Sequence, residues 1–173
     1  MSAFNNFNSF LGQASAKIGD TNAVVGLKNN VSGQHNAVVG GGNIVMGQGN
    51  ALIGDTNFLT GGANLNSIIG NLNVVDGNKN FITGNLNVNQ GNNNNIMGSL
   101  NTVLGDVNNV NGNLNKLKGS FNEVDGNMNT LQGFLNKVNG DSNFLLGNLN
   151  NIDGNKNFIK GDINNIIGNL NAI

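Results

Sequence analysis

One aliphatic residue returns in every seven along almost the whole chain. The series Val24, Val31, Val38, Val45, Leu52 and Leu59 steps nine places to Ile68 and then runs in sevens to Ile166 and Ile173. Asn stands two places before each of them, from Asn22 to Asn171, and Gly two places after, from Gly12 to Gly61 and from Gly70 to Gly168. The unit is x-x-Asn-x-Φ-x-Gly, with Φ aliphatic except at Lys17 and Asn89. A coiled coil does not fit this heptad. Gly in each unit would cost a helix on the order of 1 kcal/mol relative to Ala, and a seam needs two apolar positions per heptad where one is fixed here. Residues two apart share a face of an extended strand, so Asn and Φ point the same way. Gly supplies the turn that other residues resist. Each heptad therefore predicts one short strand and one corner, and their stacking predicts an all-β fold, a single β-solenoid or β-roll.

The residues flanking Φ set the number of heptads per coil. From Ala23 to Thr60 they read AVV, NVS, AVV, IVM, ALI, FLT, and SII follows at Ser67–Ile69. Odd units carry a small residue and then two aliphatics; even units carry something larger and end mostly on a polar residue. This alternation predicts a coil of 14 residues with two different faces; a triangular coil of 21 would scramble it. About twelve coils at ~4.8 Å give a flattened rod roughly 55–60 Å long. The Φ columns would form a thin dry core. The third-position amides would form ladders that bond from coil to coil and to the corner backbone.

Residues 1–19 read as an N-terminal cap or irregular first coil, and 20–173 as the solenoid, with a two-residue insertion at 62–63. Ser2, Phe4, Phe7, Leu11, Ala14 and Ile18 recur at helical spacing, predicting a short helix over 3–17. Coarse coils using Asn8, Phe10 and Gly12 are the equal alternative. At the other end the repeat runs to Ile173, which takes a core position. Ile166, Asn171 and Ile173 are therefore expected to form an open sheet edge, a template for another chain.

Composition narrows the chemistry. A quarter of the residues are Asn, Cys is absent and the net charge is −1. Nothing attracts nucleic acid, and thiolate metal sites and disulfides are excluded. No window reaches the ~18 apolar residues of a membrane span. The opening residues lack a basic n-region and so a standard signal peptide; the compartment stays open, the cell surface or exterior by an unconventional route included. His35 is the only histidine and faces outward. Asp76, Asp125 and Asp153 lack the calcium-binding nonapeptide frame. The one sequon, Asn30-Val31-Ser32, lies inside a strand. No catalytic, cofactor-binding or metal set emerges, and an enzyme is not expected.

The functional signal lies in outward residues. Ala23/Val25, Ala37/Val39, Ala51/Ile53 and Ser67/Ile69 make a flat apolar strip in successive coils, suited to binding or assembly. Further along, this face turns polar at Asn109/Asn111, Glu123/Asp125 and Lys137/Asn139. The second heptad position becomes a Leu column, including Leu65, Leu72, Leu86, Leu100 and Leu114; tucking into the corners is the expected placement, a lateral contact ridge the other.

Units such as DTNAVVG, QHNAVVG and SLNTVLG resemble the repeats of grass ice-recrystallisation-inhibition (antifreeze) proteins, over nearly the whole chain from Asp20. The resemblance implies a left-handed β-roll with Val columns and Asn ladders, and ice as a partner. A looser resemblance is to the head repeats of bacterial trimeric autotransporter adhesins. The chain departs from the grass pattern in lacking a Thr ladder and in placing Phe58, Phe81, Phe144 and Phe158 outward. Two functions are expected: a structural protein that self-associates into a homo-oligomer or filament through its C-terminal edge or apolar strips, or an ice-binding protein.

Overall fold

The computed structural model describes residues 9–11 and 16–173, and every strand in it is three residues long. The strands alternate between two parallel sheets, one of 12 strands containing Ala23–Val25 and one of 11 containing Asn30–Ser32. Among the described residues there is no helix. Val24 lies opposite Val38, Val38 opposite Leu52, and Val31 opposite Val45, an offset of one 14-residue coil. The 14-residue coil is therefore the repeat, and the triangular alternative is excluded.

Strand residues alternate exposed, buried, exposed, as the pleat requires. The aliphatic Φ residues from Val24 to Ile166 form one core, broken at Asn89 alone, and all but Ile166 are at 1% exposure or less. Fully burying such a side chain is worth about 1.5–3 kcal/mol before entropy is counted.

From Asn22 to Asn157 the third-position Asn residues are as dry as the core. Asn36 shows the pattern: its backbone N–H and its Nδ2 both donate to Asn22 Oδ1, each at 3.0 Å, and Nδ2 also donates to the carbonyl of Gly47 at 2.8 Å. Its own Oδ1 accepts from the N and Nδ2 of Asn50 at 3.1 and 3.0 Å. Both donors and both lone-pair sites of the amide are used, which is what lets a polar group sit in a dry column.

The ladder also explains the seventh-position Gly. Gly98 has φ +133°, and a Cβ there would overlap the carbonyl oxygen of Gly112 in the next coil. At this φ the corner backbones stack too closely for a side chain.

The two-residue insertion is absorbed at one corner. Gly61 and Gly62 both take left-handed φ, +67° and +70°. Ala63 is buried, and its carbonyl accepts from Asn50 Nδ2 at 2.6 Å, the role Gly carbonyls play elsewhere. Strand register is kept across it, with Ala51 opposite Ser67 and Phe58 opposite Val74.

The helix expected over 3–17 is overturned where the chain is described. Ser9–Leu11 and Ala16–Ile18 are strands, with Phe10 opposite Val24 and Lys17 opposite Val31. The heptad frame carries back through Phe10 and Lys17 and extends ladders that a helix would leave unpaired. Ser2, Phe4, Phe7, Asn8, Gly12 and Ala14 lie outside the described residues.

Candidate functional site

The eight strip residues come together on the outer face of the 12-stranded sheet. Ala23, Ala37, Ala51 and Ser67 are successive partners in one column, and Val25, Val39, Ile53 and Ile69 in the next. The columns stand about 6.6–6.8 Å apart along the strand and repeat every ~4.8 Å along the rod. Ser67 is half-buried and the other seven are exposed. No ionised side chain stands among them. Phe81, 45% exposed opposite Ser67, ends the flat region.

Beyond it the same face is a polar lattice. Asn95 Nδ2 donates to Asn109 Oδ1, Asn111 Nδ2 to Asp125 Oδ1, and Asn139 Nδ2 to Asp153 Oδ1. Lys137 and Glu123 form an exposed ion pair at 3.3 Å. On the 11-stranded sheet, Phe144 and Phe158 stack with ring centroids 5.0 Å apart.

The Leu column corrects the expectation that it tucks into the corners. From Thr21 to Leu170 the second heptad position has φ near +60°, whether the residue is Thr, Lys, Leu, Phe, Val or Gly. That conformation turns the side chain outward, and Leu65, Leu72, Leu86, Leu100 and Leu114 are about half exposed or more. Left-handed backbone costs a non-Gly residue roughly 1–2 kcal/mol. Val107 and Ile163, β-branched, are the least suited to it. His35 is exposed at the same corner position.

A second ladder, missed in the sequence, runs along the corners. First-position residues accept from the coil before: Asn64 N and Nδ2 donate to Asn78 Oδ1 at 2.9 and 3.0 Å, and Asn113 N and Nδ2 to Asn127 Oδ1 at 2.9 and 3.1 Å. Asp and Ser serve as well, as Asp106 and Ser120 do. The signal was legible: from Asn64 to Asn169 this position is Asn, Asp or Ser except at Phe134.

The C-terminal residues continue the same pattern. Ile166 closes the buried column, Asn171 donates to Asn157 Oδ1 at 2.9 Å, and Ile173 is 59% exposed. Among the described residues no group of His, Asp or Glu could hold a metal ion.

Asn89 breaks the core column without breaking the stack. It is buried between Val75 and Val103, accepts from Asn94 Nδ2 at 2.9 Å and donates to Gly91 O at 3.3 Å. It thereby draws off the donor that neighbouring rungs send down the ladder, as Asn108 does to Asn94. Asn89→Val is expected to stabilise by about 1–2 kcal/mol, adding apolar burial and removing a poorly paired amide. A lower melting temperature for the variant would show that the Asn89–Asn94 bond holds this coil together.

A family model described as the grass antifreeze beta roll matches residues 39–133, more than half of the chain. No curated protein matches the sequence.

Proposed function

We propose, since the chain belongs to the grass antifreeze β-roll family, that it binds ice through the strip formed by Ala23, Val25, Ala37, Val39, Ala51, Ile53, Ser67 and Ile69. The observation that carries the reading is the registry of this strip: two columns of small side chains on a rigid sheet, level with one another over four successive strands. Ice presents a flat lattice, so adsorption favours a surface whose groups are flat and regularly spaced and do not move on contact. Methyl rows leave interfacial water free to join the crystal, where a charged side chain would hold its own hydration shell. Rigidity comes from below, from core residues such as Val38 and ladder residues such as Asn36 and Asn50. A molecule fixed at many weak contacts stays on the growing front, and the front must bulge between such molecules, which slows it.

The test leaves the core untouched. Ala37→Phe with Ala51→Phe places two rings on the flat strip at exposed positions. The pair is expected to abolish inhibition of ice recrystallisation while shifting the melting temperature by no more than about 2 °C, since exposed exchanges stay within ~0.5 kcal/mol. A parent protein that leaves ice grain growth unchanged, or a double variant as active as the parent, would overturn the reading.

A further inference from the structure

Ice binding at the strip leaves the narrow edges of the rod unexplained. On the edge that leads into the 11-stranded sheet, Leu72, Leu86, Leu100, Leu114 and Met128 occupy five successive coils. Each is 48–56% exposed and each has φ between +57° and +61°. The same corner position on the same edge is filled elsewhere by Lys28, Gly42, Thr56, Ser142 and Lys156, so the fold does not require an apolar residue there. Leu and Met at these five sites oppose both the local backbone preference and hydration.

We propose that this row is the docking surface for a second copy of the chain, edge against edge. The coil repeat makes the row periodic at ~4.8 Å, and a second copy carries knobs and gaps at that same repeat. A two-fold axis across the edges lets each Leu enter a gap of the other row. The corner residues beside the row, Asn71, Asn85, Ser99, Asn113 and Asn127, are uncharged. Among the corner residues of this edge charge returns only outside the row, at Lys28 and Asp55 on one side and at Asp141 and Lys156 on the other; Lys116 and Asp125 stand on the adjoining sheet faces. A nucleic acid or an anionic membrane finds no run of cations there, only the single Lys116 beside the row. Five half-exposed Leu and Met side chains offer about 500 Å² per copy, so about 1,000 Å² in a dimer, the lower end of a specific interface. The pairing is therefore a concentration-dependent dimer, governed by mass action.

Sedimentation velocity on the full chain, from about 1 to about 100 micromolar, tests this. The parent is expected to rise from 17.9 kDa towards twice that mass. Leu86→Asn with Leu100→Asn uses the residue the chain itself places at Asn93 with φ +56°, so the roll stays folded, as circular dichroism will record. This variant is expected to associate at least tenfold more weakly. A parent that stays at 17.9 kDa throughout overturns the proposal. So does a double variant that dimerises like the parent, or one matched by Leu135→Asn with Leu149→Asn on the opposite edge. The substituted edge is not part of the strip, so loss of dimer without loss of ice activity separates the two readings.

Discussion

Gly98→Ala is expected to destabilise the roll by on the order of 4 kcal/mol or more, the range reserved for a named structural fault. Two effects add. Gly98 has φ +133°, which L residues adopt with strain, and the new methyl group would overlap the carbonyl oxygen of Gly112. That oxygen is also the acceptor for Asn101 Nδ2 at 2.7 Å, so it cannot swing aside without breaking a part-buried bond. Gly62→Ala separates the effects: its φ is +70° and nothing lies within 4 Å of the added carbon, so only the backbone term remains, roughly 1 kcal/mol. Urea unfolding of the two variants measures both. Equal losses would show that dihedral preference, and not the close approach of coils, dictates Gly at the seventh position.

The second large effect belongs to the inner ladder. Asn101→Leu is expected to destabilise by about 3–5 kcal/mol although it makes the site more apolar. Asn115 N–H loses its acceptor at 2.9 Å in the buried column, where water does not reach it, and the half-buried Gly112 O loses its donor at 2.7 Å. Asn113→Leu, two residues away in the outer ladder, breaks the side-chain bonds of similar length to Ser99 N and Asn127 Oδ1. Asn113 is exposed and water replaces them, so this change is expected to stay below about 1 kcal/mol. A thermal melt in which the two variants coincide would place the third position in water.

Much of this was legible because translation from coil to coil leaves few choices. Val24, Val31 and Val38 at a fixed interval, with Asn two before and Gly two after, admit one strand and one corner. The alternation between AVV and NVS fixed two such units per coil. The corners were harder. Hydrophobicity argues that Leu86 and Leu100 are buried, but a left-handed backbone at the second position decides where they point. The clue was that Lys28, Lys79 and His35 share their position, which a core site would not allow. The apolar spacing near the N-terminus fits a helix and a strand equally, and only the ladder partners of Phe10 and Lys17 distinguish them. Ala63 was read as part of an insertion, whereas it takes the place of a stacking Gly and leaves Gly61 and Gly62 as the extra residues.

The two kinds of ladder also give the rod an electrical direction. In the inner columns each amide turns its oxygen towards the C-terminal coils, since Asn36 Oδ1 accepts from Asn50 and Asn50 Nδ2 reaches back to it. In the outer columns the order is reversed: Asn78 Oδ1 accepts from Asn64, and Asn78 Nδ2 reaches forward to Asn92. Side-chain amides carry dipoles comparable to the ~3.5 D of a peptide unit, and head-to-tail alignment makes them additive. The inner columns are dry from Asn22 to Asn157, whereas the outer ones are interrupted by Ser99, Ser120 and Phe134 and screened by water. The opposing columns therefore cancel only in part. What is left is a contribution along the axis, positive towards the N-terminal coils, on which the moment of the ionised side chains is superposed.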